Sequence, residues 1–449
     1  MNRGHAATIR IIALACLASV SCGASSARPA AISDASALFA FSRAPESGVT
    51  FLSTQMNPVE EAGRMRSSIL KDFPGAVDFK PNDNSYIFSQ VESMRRANPG
   101  DCVLIGALHG DLVTLQRKGL LRPLDDAYAA LAGRGFPESL LALASPGGER
   151  AYYVPWMQAS FVMVANKKAL EYLPDGAVLD SLSYDQLLQW GSSIFARTGR
   201  RAIGFPAGKN GLMHRFFQGY LYPSFTASTL LRFKSRDAEL MWSYFGRLWQ
   251  FVHPGSLVYS DMSEPLIAGD VWIAWDHTAR LTHAFEERAD DYVAFPAPVG
   301  PEGRGYMAVV SGLAIPEGFA REGDAVLLID YLTQPAIQAR TLSETGFFPV
   351  VGSWTEADIP GRLRSLASAV GKQTGSPDSI PTLMPIGLGE RGSDYNAAFM
   401  MTFSEIVLQG KSARSVLIEN AATLQDIVNE AGAPCWAPDV SDGRPCALE

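Results

Sequence analysis

Residues 102–108, CVLIGAL, are the third of three short apolar runs near the start of the chain, after GVTFLST at 48–54 and AVDFKP at 76–81. Each is bounded by turn residues and reads as a strand. Between them the apolar period changes. In PVEEAGRMRSSILKDF (58–73), Val59, Ala62, Met65, Ile69, Leu70 and Phe73 recur at helical spacing. Pro58 suits a first helical position, and Glu60 and Glu61 suit the positive end of the helix dipole. SYIFSQVESMRRA (85–97) and DLVTLQRKGL (111–120) read as the next two helices. Strands alternating with helices predict βαβ units, hence a parallel sheet with right-handed crossovers.

Outward from this block, SFVMVAN (160–166) reads as a strand and KKALEYL (167–173) as a helix. The aromatic segment YYVPW (152–156) stands before them, with Pro155 setting the entry of the chain. From about 184 to 252 the pattern is mainly helical, YDQLLQWGSSIFA and RDAELMWSYFGRLWQFV being the clearest segments. DVWIAWDH (270–277) returns to strand character, and 292–316 reads as strand, glycine-rich turn and strand. EGDAVLLIDYLTQPAIQARTLSETG is helical, GFFPVV is short and extended, and SARSVLIENAATLQDIVNEAG predicts a terminal amphipathic helix.

The chain has 449 residues, enough for two lobes, with 47% hydrophobic and 19% charged residues. A formal net charge of −8 argues against nucleic-acid binding, which needs a basic footprint. The first 21 residues combine Arg3 and Arg10, an apolar block IIALACLASV too short to span a bilayer, and small residues. That pattern predicts a secretory signal peptide. Cys22 at its end resembles a bacterial lipobox cysteine, which implies lipidation and a membrane anchor, with 22–44 as a tether. Export implies an oxidising compartment. CWAPDVSDGRPC then predicts a Cys435–Cys446 disulfide in a short loop, and Cys102 a buried free thiol.

Catalytic motifs are absent: there is no G-x-S-x-G and no H-E-x-x-H. QGKS (409–412) ends like a phosphate-binding loop, but Glu405 stands where its glycine is needed. No Cys/His spacing suits zinc, and His277 and His283 do not share a helical face, so no metal or cofactor is expected. The expectation is a protein without enzymatic activity.

The segment order resembles that of the extracellular solute-binding proteins of carbohydrate ABC importers, the group that includes the maltose-binding proteins. VPWMQASFVMVANKKALEYLP (154–174) is similar to the family's inter-lobe strand, turn and helix. Residues 294–350 resemble its glycine-rich hairpin, G-L-A-I-P strand, helix and G-x-x-P-V segment, and EIVLQGKSARSVLIENAATLQDIV (405–428) its C-terminal helices. The resemblance implies an α/β, two-lobed periplasmic-binding-protein-like fold with a ligand cleft between lobes. Boundaries on this reading are 45–146 with 294–345 for the N-terminal lobe and 147–293 with 346–449 for the C-terminal lobe. It further implies a monomeric receptor that delivers a carbohydrate to ABC permease subunits. A receptor of the same fold for a peptide, polyamine, metal ion or glycerol phosphate, or an exported hydrolase, are the alternatives.

Sheets of this kind bind ligands beyond the carboxyl ends of their strands. There stand Gln55 and Asn57, Asp83, and His109 with Asp111; Asn57, Asp83 and Asp111 equally suit helix caps. A sugar needs aromatic plates and planar hydrogen-bonding groups. Trp156 with Gln158, and Trp275 with Asp276, offer that pairing, with core packing the alternative for Trp156. Asn210 and His214 follow in PAGKNGLMHR, Ser311 and Gly312 precede the G-L-A-I-P strand, and Arg391 lies in GLGERGSDYN. Few cations among these candidates favour a neutral sugar over a phosphorylated one.

Overall fold

The structure is a computed structural model describing residues 48–449 apart from 57–58, 146–147, 149 and 353–357. Cys22, the leader, the tether and Asn57 lie outside the described residues. The strands, in chain order, are β1 (Val49–Ser53), β2 (Val77–Pro81), β3 (Val103–Leu108), β4 (Val154–Ala159), β5 (Phe161–Asn166), β6 (Ile203–Gly204), β7 (Ile273–His277), β8 (Tyr292–Phe295), β9 (Arg304–Ala314) and β10 (Ser379–Leu383). They form two sheets. The first runs β10-β9-β3-β1-β2 with β4 also paired to β9, and the second runs β6-β7-β5-β8.

The three opening apolar runs are parallel neighbours, Phe51 standing opposite both Phe79 and Leu104. The first helix spans Val59–Arg64 and then widens into a π turn over Met65–Ile69, where Leu70 N–H donates to Met65 C=O at 2.9 Å. Asp83 caps helix Asn84–Ala97 through Tyr86 N–H (2.8 Å). β9 is the longest strand: β10 runs parallel to its first half, and β4 and β3 run antiparallel to its second.

Three local expectations are corrected. Residues 296–303 are not the turn of a hairpin: β8 pairs with β5 in the second sheet, whereas β9 belongs to the first, so this segment is a crossing. The aromatic entry VPWMQA is itself a strand, β4, taken up by the open edge of β9. KKALEYL is a 3-10 helix, Lys167–Tyr172. Although the expected boundaries put β4 and β10 in the C-terminal lobe, both pair with β9 in the first sheet.

The second crossing is one residue long. Ser160, between β4 and β5, donates its hydroxyl to Met307 C=O (3.0 Å). Tyr220 hydroxyl accepts from Phe161 N–H and donates to Phe161 C=O, both at 3.0 Å. Gln373, fully buried, donates to Phe161 C=O (3.1 Å) and Ser160 Oγ (3.3 Å) while its Oε1 accepts from Ala297 N–H at 2.9 Å. One amide thus fastens both crossings. At the far end Cys435 and Cys446 are disulfide-bonded, and Cys102 is a buried free thiol.

Trp156 lies fully inside the first core, its ring centroid 5.4 Å from that of Phe51. Gly106 on β3 makes room for it: a Cβ there would sit 2.9 Å from the indole and 2.8 Å from the Phe51 ring. The Trp156 backbone carbonyl accepts from Gln338 Nε2 at 2.8 Å. Large-to-small substitution of such a residue costs about 3–5 kcal/mol, so Trp156→Ala is expected to lower the urea midpoint by that equivalent.

His109, which opens helix His109–Arg117, is also buried, with Nδ1 2.8 Å from Tyr153 hydroxyl. Burial pushes its pKa down to about 4. The folded state therefore keeps a neutral imidazole that the unfolded chain protonates below about pH 6.5. Its contribution to stability is complete above that pH and is lost as pH falls towards 4. Between pH 7 and 5 the loss is about 2 kcal/mol. Urea unfolding of His109→Gln is expected to change less over this interval than that of the natural chain.

Candidate functional site

The carboxyl ends of β1, β3 and β7 point to a common space between the two sheets. Past β1 the chain turns through Thr54, Gln55 and Met56, and Met56 has φ +58°. Left-handed backbone is uncommon for a non-glycine residue and tends to cluster where a segment is held for function. These residues line a cavity of about 310 Å³ whose other walls include Glu61, Phe161, Leu212, His277, Arg280 and Phe347. A second cavity, of about 160 Å³, adjoins it and is lined by Gly110, Asp111, Thr114, Ser393 and Asn396 among others. Leu108, Arg215 and Met384 border both.

Two arginines occupy this cleft. Arg215, on helix Met213–Phe216, donates Nη1 to Gln218 Oε1 (2.8 Å), and Gln218 Nε2 donates to Asn396 Oδ1 (3.0 Å). Gln218 is fully buried, so the relay holds the guanidinium in place. Burial lowers the Arg215 pKa to about 10, with Tyr395 and Asp111 acting the other way, and it stays charged at neutral pH. Arg280 donates Nη1 to Ser260 C=O (2.6 Å) and Asn210 C=O (3.1 Å), bracing the loop that carries Asn210. Glu61 faces it electrostatically: burial raises the carboxyl pKa, and Arg280 and then Arg64 pull it back.

His277 ends β7 and caps the next helix, Nδ1 accepting from Ala279 N–H at 3.3 Å. Burial, then Arg280, pushes its pKa down to about 3, so it is neutral and, with Nδ1 as acceptor, carries its proton on Nε2. Its ring meets Phe161 edge-on at 5.0 Å. Asp276 behind it is fully buried, accepting from His277 N–H (2.7 Å) and Met262 N–H (2.9 Å), and burial pushes it up to about 7. Among the described residues no three His, Cys, Asp or Glu side chains converge on a metal position.

Of the residues singled out from sequence, Gln55 lines the larger cavity and Asp111 the smaller. Trp275 is fully buried and stacks on Phe161 at 4.7 Å, supporting a ring that does line the cleft. Trp156, His109, Asp276, Ser311 and Gly312 stand behind the walls; Ser311 Oγ donates to Met157 C=O (3.2 Å), and Gly312 lies against the Tyr153 ring. Gln158 serves the crossing region, pairing with Phe348 through backbone bonds of 2.7 and 3.0 Å and donating Nε2 to Pro349 C=O (2.8 Å). Asp83 caps its helix at the surface. Asn210 is exposed with φ +64°, and half-buried His214 is held deprotonated by burial, then by Arg215 and Arg280. Arg391 is engaged by Asp394 (2.7 Å) and Glu430.

The expectation of few cations is corrected by Arg215 and Arg280. Both arrive on helices rather than strand ends: Arg215 is the neighbour of His214, and Arg280 lies three residues past His277. Glu61 was legible only as a helix-dipole charge, and Phe347 only as part of an extended apolar piece.

Solved structures share this architecture. The GacH receptor of Streptomyces glaucescens, described unliganded and with acarbose, is 14% identical at a TM-score of 0.65, covering 85% of this chain and 99% of its own. The sugar-binding protein MalE of Xanthomonas citri is 17% identical at 0.66, covering 85% and 97%. UgpB of Mycobacterium tuberculosis, in complex with glycerophosphocholine, is 19% identical at 0.66, covering 86% and 99%. At these identities the likeness shows the fold, two lobes with a cleft between them. No curated protein sequence matches the chain. A family model described as bacterial extracellular solute-binding protein matches residues 76–359, more than half of the sequence, and the chain belongs to that family.

Proposed function

We propose that the protein captures a neutral carbohydrate in the inter-lobe cleft and passes it to the permease of an ABC importer. The observation that carries this reading is charge compensation around the cleft. Each arginine shares its cavity with a carboxylate, Arg215 with Asp111 and Arg280 with Glu61, so a bound solute need bring no net charge. Arginine–carboxylate combinations supply planar donors and acceptors suited to vicinal hydroxyls. Gln55 and His277 Nε2–H add polar partners, and Phe161 and Phe347 offer apolar faces for CH groups. Acarbose bound to the GacH receptor is in keeping with this chemistry.

On this reading the protein binds without catalysis and acts as a monomer, its first lobe built on the six-stranded sheet and its second on the four-stranded one. Closure of the lobes buries the solute and presents a new surface to the permease. The family is extracellular; acylation of Cys22 would hold the receptor at the outer face of the cytoplasmic membrane. The glycerophosphocholine complex of UgpB makes a phosphodiester the rival solute.

A thermal-shift panel on the mature chain is the test. Neutral mono-, di- and trisaccharides are set beside peptides, polyamines, glycerol phosphate and glycerophosphocholine. A neutral saccharide is expected to raise Tm, by the equivalent of about 2.7 kcal/mol at one hundred times Kd. Gln55→Ala removes one hydrogen-bonding side chain and should weaken that saccharide about tenfold. A response confined to the other compounds would sink the proposal.

A further inference from the structure

The two cavities differ in chemistry and share three lining side chains, Leu108, Met384 and the charged Arg215. Asp111, Thr114, Ser393 and Asn396 make the inner one mainly polar, whereas in the outer one the apolar walls of Met56, Phe161, Leu212 and Phe347 stand beside Gln55, Glu61, His277 and Arg280. Arg215 belongs to both. Its guanidinium has five N–H donors, and the recorded bond to Gln218 uses one nitrogen, Nη1. The Gln218–Asn396 relay fixes the side chain, so it stands as a post between the compartments rather than swinging into either.

Size points the same way. A dry cavity of about 150 Å³ takes up a benzene ring; the inner cavity has about 160 Å³ and the outer about 310 Å³. The inner space therefore accommodates one ring-sized unit. Asp111 and the charged Arg215 both line it, so the two charges offset and the cavity suits a unit bearing hydroxyls.

We infer that the solute spans both compartments: a hydroxyl-rich terminal unit fills the inner cavity, a second unit with an apolar face lies in the outer one, and Arg215 bonds at the junction. The minimum solute is then two linked units, and Arg215 determines specificity for length. This deepens the carbohydrate reading and rests on it.

Isothermal titration of the full mature chain with glucose, galactose, maltose, cellobiose and lactose tests the inference. At least one disaccharide is expected to bind tenfold or more tightly than either of its component monosaccharides. Ser393→Phe, which fills the inner cavity, should shrink that ratio at least fivefold. Asp111→Asn, nearly isosteric and placed at the wall without adding bulk, serves if the larger side chain prevents folding; it too should reduce the ratio. Arg215→Lys keeps the charge but loses the planar fork and should cost the disaccharide tenfold or more. If monosaccharides bind as tightly as disaccharides, or the ratio survives every folded variant, the spanning arrangement is wrong while the carbohydrate reading stands. If none of the five sugars binds but a glycerophosphodiester does, both fall together.

Discussion

A backbone that passes from one sheet to another through the protein interior must pair every polar group it carries across, since an unpaired buried amide costs more than the bond it would have made. Ser160 and Phe161 bear that demand. β4 leaves the first sheet and β5 opens the second with a single residue between them, so both sheet ladders stop at once. Tyr220, Gln373 and Met307 supply the missing partners. Because Gln373 also holds Ala297 on the other crossing, the two connections share one anchor. The relative placement of the sheets, and with it the cleft, depends on this cluster.

The cleft inherits its character from strand ends and the helices that follow them. β1, β3 and β7 deliver Gln55, Asp111 and His277, while the arginines come from the helical region of 213–216 and from the helix capped by His277. Each large aromatic wall is backed by another ring: Trp275 stacks on Phe161, and His277 lies 5.5 Å from Phe347. Rigid apolar faces beside fixed polar groups lower the ordering cost of binding.

Much of the architecture was legible in the sequence. The period change between 48 and 120 gives the first three parallel strands with their helices, and the short cysteine-bounded loop gives the disulfide. The site was legible only in part. Trp156 and Trp275 look alike as aromatic residues beside polar ones, yet the facing Gly106 draws Trp156 inward and Phe161 covers Trp275. Such choices depend on a residue distant in sequence, and no local pattern carries them. Residues 296–303 read as a hairpin turn for the same reason: their local chemistry suits a turn, and only the partners of β8 and β9 show a crossing. Arg215 ends the stretch PAGKNGLMHR from which Asn210 and His214 were singled out, and what holds it at the cleft, Gln218 and Asn396, lies partly in a distant segment.

The chain's tail has a bearing on how the molecule can be made. Asp439, inside the loop closed by Cys435 and Cys446, accepts from the amides of Thr229, Leu230 and Leu231, more than two hundred residues earlier. β9 and β10 likewise complete a sheet begun at residue 49. Contacts so remote in sequence make for slow folding. Thr229, Leu230 and Leu231 gain this partner only once residues 435–446 are in place, so loss of that loop would leave three amides to find other acceptors.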